Sequence, residues 1–323
     1  MLVQRKNRID MNKCEYVHII EYPERGTLWR LLKDLTIYPN HHILETKGQY
    51  VNLSSPNSNM FYIFHTSGRS FPMVDSLIYL LNSGFKCCLF IHTAPDYIVQ
   101  KGYPQFLEYV EELQKQFKIK VMVPSWSVKI DFARHNIECD AVRLGIFSPS
   151  VIEPLNDLSY LTNKIITVNT NNKYEYKLAK GIDRFCEIVE CLGLQHHVAI
   201  LGVDGDNSDG IFRKKLSYQE FMWVLSKSRM YVQLSRSESY NITAIEARQL
   251  KIPLLLSNVG GHMDCNLDSI FLANSKDDAI TKMQNLLLYE KTDILSKIEN
   301  NYIWSITNES LEAFRKKIES ILV

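Results

Sequence analysis

Two glutamates in the second half of the chain stand where they could serve a phosphorylated ligand. Glu238 and Glu246 are separated by seven residues within the segment from Met230 to Gly261, MYVQLSRSESYNITAIEARQLKIPLLLSNVGG. Short apolar runs flank a helical stripe, which predicts strand, polar loop, helix, strand and glycine turn. Free N–H groups and a partial positive charge at the helix start attract phosphates, and a carboxylate further along can accept hydrogen bonds from a ribose diol. The bare spacing is also compatible with two solvated surface acids.

The order of elements around these glutamates resembles the E-x7-E region of retaining glycosyltransferases of family 4, which have the GT-B fold. In that family the pattern runs strand, S-E-G-F-G, helix with E-A, G-x-P, strand and G-G. The matching residues here are Ser237-Glu238-Ser239-Tyr240-Asn241, Glu246-Ala247, Lys251-Ile252-Pro253 and Val259-Gly260-Gly261.

The resemblance implies a role for each of these positions. Glu238 is expected at the donor sugar and Glu246 at the ribose hydroxyls. The donor diphosphate is expected at the helix start, beside Ser239, Tyr240, Asn241, Ile242 and Thr243. Ser239 and Asn241 replace two glycines of the family pattern. Asparagine tolerates the left-handed conformation and serine caps helices, so the loop can still form.

A basic position further upstream resembles another part of the same family. Lys180-Gly181 follows a polar loop and matches the end of the R-x4-K-G element, whose two cations neutralise the diphosphate. Glu175 stands where the family has arginine. Lys173 or Lys177 is a substitute cation if the loop is rearranged, although lysine lacks the bidentate fork of arginine. The other interpretation of this segment is a solvated basic loop.

Two glycines and one acidic loop complete the resemblance on the donor side. Gly202 matches the glycine after the strand in the family's I-x-G-x-G element, and Gly26 lies where the family has a glycine-rich loop. Asp204-Gly205-Asp206 is formally a metal-binding D-x-D, but a polar loop is the favoured interpretation, because the context matches a metal-independent fold. No metal and no cofactor besides the nucleotide-sugar substrate is therefore expected.

Histidines follow two strands in the first half of the chain. His92 ends the run Leu89-Phe90-Ile91-His92-Thr93, and His65 lies one strand earlier. Retaining GT-B enzymes often carry H-T or H-D at this strand end, so the resemblance implies that His92 lines the reaction centre on the acceptor side. His65 is the weaker candidate, and a lone histidine is more often structural.

Apolar runs of strand length alternate with helical patterns along the whole chain, which predicts an α/β fold with parallel sheets. One helix is predicted from Leu178 to Leu192, and another from Thr292 to Leu322 with a break near Asn300-Asn301. The predicted strands are Tyr16–Glu21, Met60–Phe64, Lys86–Ile91, Ile119–Val123, Ile165–Val168, Val198–Leu201, Met230–Leu234, Ile252–Leu256 and Ile270–Leu272.

The length of 323 residues is typical of two domains. We expect a Rossmann-like acceptor-side domain over 1–150, a Rossmann-like nucleotide-sugar domain over 151–305, and a C-terminal helix over 306–323 that returns to the first domain. In open parallel sheets ligands bind at the carboxyl ends of strands. His65, His92, Gly202 and Glu238 all follow strands, so four strands point polar or glycine residues the same way. Two α/β halves joined by the proline-containing linker Gly145 to Asp157 predict two domains facing across a cleft.

Composition narrows the class of partner. The net charge is +1, so nothing in the balance asks for nucleic acid. Seven scattered cysteines are typical of reduced thiols in a cytoplasmic protein. The basic N-terminus is compatible with peripheral contact with anionic lipid on the inner face of a membrane, or with a disordered tail. The sequence leaves the oligomeric state open.

The resemblance implies a retaining glycosyltransferase that uses a nucleotide-diphosphate sugar, with UDP favoured. The acceptor would be a glycan, a lipid-linked glycan or a protein. The lost arginine and glycines keep a second hypothesis open, a catalytically silent GT-B module that binds or scaffolds a true transferase. A sugar epimerase that needs no acceptor is a third. A dehydrogenase is disfavoured, because no G-x-G-x-x-G follows a strand.

Overall fold

The computed structural model describes residues 16–20, 27–46, 50–51, 53, 59–67, 71–171, 173–288 and 291–322. The chain divides into two compact units. The first contains residues 1–142 together with 315–323, and the second contains residues 143–314. Among the described helices, none is both long and apolar enough to cross a membrane.

The first unit is built on a parallel sheet of six strands in the order β2-β1-β3-β4-β5-β6. The chain changes direction across the sheet between β1 and β3, which is a topological switch point. The strands are β1 Tyr16–Ile20, β2 His41–Glu45, β3 Phe61–Thr66, β4 Lys86–Ile91, β5 Lys120–Val123 and β6 Asp140–Ala141. The helices are α1 Thr27–Leu35, α2 Phe71–Asn82, α3 Pro95–Gln100, α4 Pro104–Phe117 and α5 Trp126–Ala133.

The second unit has its own parallel sheet of six strands, in the order β12-β11-β10-β7-β8-β9. Counted within the unit this is the Rossmann order 3-2-1-4-5-6, with the switch point between β7 and β10. The strands are β7 Ile165–Val168, β8 Val198–Leu201, β9 Phe212–Lys214, β10 Met230–Gln233, β11 Leu254–Ser257 and β12 Leu272–Ala273. The helices that lie wholly in this unit are α6 Tyr174–Ala179, α7 Ile182–Cys191, α8 Tyr218–Ser226, α9 Ile242–Gln249, α10 Lys276–Leu288 and α11 Lys291–Asn308.

The second sheet is buried on both faces. Alternate residues of a strand point to opposite faces, so Leu254 and Leu256 pack in one apolar cluster with α8 and α9. Leu255 packs in the other cluster, with α7 and α10. Burial on both faces explains why the strands are near-continuous apolar runs rather than alternating ones.

Two helix predictions were wrong, each for a local reason. The predicted helix from Leu178 to Leu192 is two helices, because Gly181 adopts the left-handed conformation with φ of 67°. The helix from Thr292 is continuous through Asn300-Asn301. It ends at Asn308, where the carbonyl of Glu309 accepts a hydrogen bond from the Ile146 amide at 3.0 Å. A final helix, α12, follows over Leu311–Leu322.

Candidate functional site

The loop between β10 and α9 carries Glu238 to the carboxyl end of the second sheet. Its last residue, Asn241, is the N-cap of α9, and its side-chain oxygen accepts a hydrogen bond from the Ala244 amide at 3.1 Å. The helix therefore begins at Ile242, followed by Thr243. Its first turn keeps N–H groups without intrahelical partners, as every α-helix does.

Glu238 is buried and ion-paired. Its Oε2 lies 2.6 Å from Nζ of Lys180 and accepts a longer hydrogen bond from the Ser235 hydroxyl at 3.4 Å. Burial alone raises the pKa of this carboxyl. The Lys180 ammonium and the neighbouring His262 outweigh that effect, so the pKa of Glu238 is lowered. The structure thus brings together two of the predicted donor-site residues as one charge-neutral pair.

Three glycines let neighbouring segments approach this loop closely. A Cβ on Gly181 would lie 1.8 Å from the carbonyl oxygen of Leu234, at the end of β10. A Cβ on Gly260 or Gly261 would lie 2.1 or 2.2 Å from carbonyl oxygens of the loop itself. Side chains at these positions would collide with backbone. The K-G and G-G motifs therefore have a physical reason here, which is to hold the segments beside the loop of Glu238.

The turn between α6 and α7 fixes the position of Lys180, the C-cap of α6. The Lys180 carbonyl accepts a hydrogen bond from Nε2 of Gln233 at 2.5 Å. The Arg236 amide donates to the Ala179 carbonyl at 2.8 Å, and its guanidinium binds both carboxylate oxygens of Asp183. These contacts tie the turn to the end of β10. No motif in the sequence indicates the pair formed by Arg236 and Asp183.

Glu246 lies in the middle of α9 and is almost fully buried. Its Oε1 accepts a hydrogen bond at 3.0 Å from the hydroxyl of Tyr218, the first residue of α8. Tyr218 is 43% exposed, so the edge of this carboxylate site reaches the surface. Both Glu238 and Glu246 act electrostatically on the buried phenol of Tyr231, whose pKa is raised mainly by burial.

His262 is a site residue that sequence reasoning missed. It is fully buried, its Nδ1 donates to the Ser257 carbonyl at 2.9 Å, and its Nε2 accepts from the Asn241 amide at 3.0 Å. Burial lowers the pKa of His262 to about 4, although Glu238 acts in the opposite direction. The neutral ring thereby holds the N-cap of α9. Its only signal in the sequence is its position directly after Gly260-Gly261.

The side chain of Tyr240 turns into the interior of the second unit. Its hydroxyl donates to Oε1 of Glu309 at 2.6 Å. The other carboxylate oxygen of Glu309 pairs with the buried Arg248 and accepts from the Ser305 hydroxyl at 2.8 Å. Arg248 also donates to the Cys265 carbonyl at 2.7 Å. Tyr240 therefore joins α9 to the end of α11 through its side chain, while its backbone and that of Ser239 form the loop.

Gly202 lies at the end of β8, where the resemblance implies it should. Its φ is 106°, and a Cβ there would lie 2.8 Å from the Asn169 carbonyl oxygen after β7. The acids that follow, Asp204 and Asp206, accept hydrogen bonds from nearby backbone amides. Asp204 accepts from the Lys215 amide at 3.0 Å, and Asp206 accepts from the Ser208 amide at 3.0 Å. Within the described residues, no group of three or more histidine, cysteine or acidic side chains could hold a metal ion.

The remaining predicted residues are Lys173, Gly26 and His92. Lys173 is exposed and precedes α6 as its N-cap. Gly26 lies outside the described residues. His92 belongs to the first unit, where it follows β4. Its Nε2 lies 2.8 Å from Nδ1 of His65, and its ring stacks on Phe90 at 4.3 Å between centroids.

Comparison with known proteins places the fold. No family model and no curated protein matches the chain. A glycosyltransferase from Rickettsia africae ESF-5 is similar in structure, with a TM-score of 0.69, 15% identity and coverage of 96% of this chain and 98% of that one. The trehalose-6-phosphate synthase OtsA has a TM-score of 0.71 at 10% identity, with coverage of 95% and 98%.

A third similar structure is Anabaena Alr3699/HepE in complex with UDP and glucose. It has a TM-score of 0.69 and 11% identity, and the match covers 96% of this chain and 99% of that one. At such identities the likeness establishes the fold. It confirms the predicted class, α/β with two Rossmann-like domains as in GT-B glycosyltransferases.

Proposed function

We propose that the protein is a retaining glycosyltransferase of the family 4 type, which transfers a sugar from a UDP-sugar without a metal ion. The observation that carries the proposal is the pair of Lys180 and Glu238 at the switch point of the second sheet. Backbone at three glycines holds this pair beside the N-terminus of α9. A cation, free helix amides and a buried carboxylate are the groups that a sugar diphosphate needs.

The proposed roles follow the chemistry of each group. Lys180 and the first turn of α9 bind the diphosphate and stabilise its charge as it leaves. Glu238 binds hydroxyls of the donor sugar, and Glu246 binds the ribose diol. The hydroxyl of Tyr218 then contacts both Glu246 and the nucleotide. Lys173 adds long-range positive charge rather than a direct contact.

In the proposed reaction an acceptor hydroxyl attacks the anomeric carbon on the face from which the diphosphate departs. The bond from that carbon to the phosphate oxygen breaks, the new glycosidic bond forms, and the hydroxyl proton passes to the departing phosphate. The anomeric configuration is retained. Orientation and charge stabilisation provide the rate enhancement, with no protein nucleophile. His92 accepts a hydrogen bond on the acceptor side.

UDP as the leaving nucleotide draws support from a similar structure, Alr3699/HepE, which holds UDP and glucose. The acceptor class stays as the sequence predicts it, a glycan, a lipid-linked glycan or a protein. Cytoplasmic location, with peripheral contact of the basic N-terminus with a membrane, is part of the same proposal.

Thermal unfolding with UDP, GDP, ADP and CDP, each with EDTA, tests the donor site. A ligand at about one hundred times its dissociation constant stabilises the folded state by about 2.7 kcal/mol, which raises the midpoint by several degrees. We expect a shift with UDP that Glu246→Ala abolishes. Glu190→Ala, which removes an exposed glutamate of α7, is the matched control and should keep the shift.

The two remaining hypotheses give different results in the same system. Binding of UDP without release of UDP from any UDP-sugar, whatever acceptor is offered, would favour the silent binding module. That alternative has one structural observation behind it, because Glu175, at the position of the family's arginine, is exposed in α6. If none of the four nucleotides shifts the midpoint, the result would count against the transferase and against the silent module that binds a nucleotide. Interconversion of UDP-sugars without an acceptor would identify an epimerase.

A further inference from the structure

Four imidazoles form one hydrogen-bonded row in the first unit. We call His41, His18, His65 and His92 the histidine row, in the order of their contacts. Nδ1 of His41 lies 2.9 Å from Nε2 of His18, and Nδ1 of His18 lies 2.8 Å from Nε2 of His65. Nδ1 of His65 lies 2.8 Å from Nε2 of His92. At the first end, Nε2 of His41 lies 3.3 Å from Oε1 of Glu319 in α12.

Strand register places the row on one face of the sheet. Tyr16 of β1 is aligned with His41, and Ile20 of β1 is aligned with His65. His65 is in turn aligned with Phe90 of β4. Each successive histidine therefore stands two residues further along, and a period of two keeps all four on the same face. The row runs diagonally from the amino end of β2 to the carboxyl end of β4, where ligands of parallel sheets bind.

The short distances between rings require a proton in every gap. A neutral imidazole has one N–H and one bare nitrogen. Three consecutive N–H···N bonds among four neutral rings are possible only when all N–H groups point the same way along the row. A metal ion between rings is excluded by geometry, because each metal–nitrogen bond alone needs about 2 Å. The row is thus a chain of hydrogen bonds with one direction.

Glu319 sets that direction. Its Oε1 accepts a hydrogen bond from Nη1 of Arg315 at 2.6 Å and from Nδ2 of Asn40 at 3.2 Å. Arginine only donates, and Nη1 of Arg315 donates to both carboxylate oxygens of Glu319. A carboxylate held in this way must also accept from His41, so Nε2 of His41 carries its proton. Every ring behind it is then the Nε2–H tautomer, and His92 keeps a bare Nδ1.

The rings of the row are neutral, because burial disfavours the imidazolium. Burial lowers the pKa of His18 and of His65 well below the ordinary value, and it lowers the pKa of His92 to about 3. Burial also lowers the pKa of His41, against the opposing effect of Glu319. At neutral pH, therefore, no ring carries the second proton that would allow the direction of the N–H groups along the row to reverse.

We propose that His65, backed by His18, His41 and Glu319, is a positioning residue that fixes Nδ1 of His92 as a hydrogen-bond acceptor for a hydroxyl of the acceptor molecule beside the attacking one, whose own proton passes to the departing phosphate. This inference rests on the proposed function for its role, and on the protein alone for its geometry. His92 cannot turn its ring or change its tautomer without breaking the bond to His65. Within the described part of the chain, Nδ1 of His92 has no hydrogen-bond partner, which leaves this nitrogen for a ligand.

Nitrogen NMR of the native chain labelled with 15N-histidine tests the geometry without any substrate. We expect three couplings across N–H···N bonds, each with Nε2 as donor, and a His92 Nδ1 signal of the unprotonated type. Glu319→Leu removes the carboxylate that anchors the row. The variant should still fold, because the side chain of Glu319 is partly exposed on α12. Both directions of the row then become populated, and a protonated Nδ1 of His92 appears. Absent couplings, or Nδ1-protonated His92 in the native chain, overturn the inference.

Kinetics test the role. His65→Leu leaves Nε2–H of His92 without a hydrogen-bond acceptor. We expect kcat/KM for the sugar-accepting substrate to fall about tenfold, which corresponds to the loss of one hydrogen bond. His65→Asn places an amide oxygen near the former Nδ1 and should restore most of that loss. KM for the donor should stay constant in both. His42→Asn is the matched control, because His42 lies on the same strand as His41 but faces the Pro39 carbonyl instead.

The two proposals can fail separately. If the couplings are present and no UDP-sugar is turned over with any acceptor, the proposed function fails, and the positioning role fails with it. If the chain transfers sugar but His65→Leu and His65→Asn have equal kcat/KM, the positioning role fails and the proposed function stands.

Discussion

At the scale of residues, the site depends on the buried carboxylate of Glu238. Among the described residues, Lys180 is the only cation close to it. The side chain of Glu238 is 7% exposed and that of Lys180 is 25% exposed. A buried charge that loses its partner is costly, whereas a pair of exposed charges contributes little. The pair therefore holds Glu238 ionised, as its lowered pKa indicates.

We predict that Lys180→Met lowers the free energy of unfolding by about 3 kcal/mol, because Glu238 would remain buried without a cation. The double variant with Glu238→Gln should recover most of that loss, since no uncompensated charge remains. Urea denaturation of both variants measures this. Lys276→Met is the control, because its ion pair with Glu187 is of similar length, 2.7 Å, but about half exposed, so its loss should cost far less stability. Equal losses for Lys180→Met and Lys276→Met would contradict the prediction.

At the scale of elements, the turn between α6 and α7 and the loop after β11 approach the loop of Glu238 only because they contain glycine. Gly181 has two separate requirements, a positive φ and empty space where a Cβ would stand. Gly193, which follows α7, has nearly the same φ, 65° against 67°, but open space around it. The two glycines therefore separate backbone strain from close packing.

We predict that Gly193→Ala costs about 1 kcal/mol of stability, the strain of a left-handed alanine. Gly181→Ala should cost clearly more and should also weaken UDP binding, because the turn that carries Lys180 must move away from β10. Thermal unfolding with and without UDP gives both quantities. If UDP stabilises Gly181→Ala as much as it stabilises Gly193→Ala, the turn does not position the donor site.

The sequence predicted the elements unevenly. Strands buried on both faces, such as β7 and β8, were predicted with correct ends because they are apolar throughout. The three missed strands, β2, β6 and β9, all lie at sheet edges. Edge strands need fewer apolar residues, and β2 begins with His41 and His42. The helix predicted from Leu178 runs across Lys180-Gly181 because the periodicity continues there, whereas in the structure the left-handed Gly181 separates α6 from α7.

At the scale of the whole molecule, each unit has a switch point, and the sequence indicated both sets of strand ends. His92 and Gly202 directly follow their strands and Glu238 lies in the loop after β10, as the order of elements predicted, whereas His65 lies inside β3, one residue before its end. The missing part was long-range. His262, which holds the N-cap of α9, and Glu309, which joins α9 to α11, are far from their partners in sequence and belong to no pattern. Contacts of that kind come from packing, which a single sequence does not reveal.

Buried neutral histidines also make the stability of the whole chain depend on pH. His262 has a folded pKa of about 4 against an ordinary value of 6.5, and the histidine row shifts in the same direction. A lowered pKa means that the unfolded state binds more protons between these values. Stability is therefore complete above about pH 6.5 and falls as the pH falls towards 4.

We predict a steep loss of stability between pH 7 and pH 5, about 2 kcal/mol at pH 5 for His262 alone. Typical domains are stable by only about 5–15 kcal/mol, so several such histidines bring acid unfolding close to pH 5. Urea denaturation at pH 7, 6 and 5 measures the slope. His262→Gln keeps an amide donor for the Ser257 carbonyl and an acceptor for Asn241, but it cannot titrate. The free energy of unfolding of this variant should decline less steeply as the pH falls, because unfolding takes up one proton fewer. A native chain whose stability is constant from pH 7 to pH 5 would show that these rings are charged or accessible in the folded state.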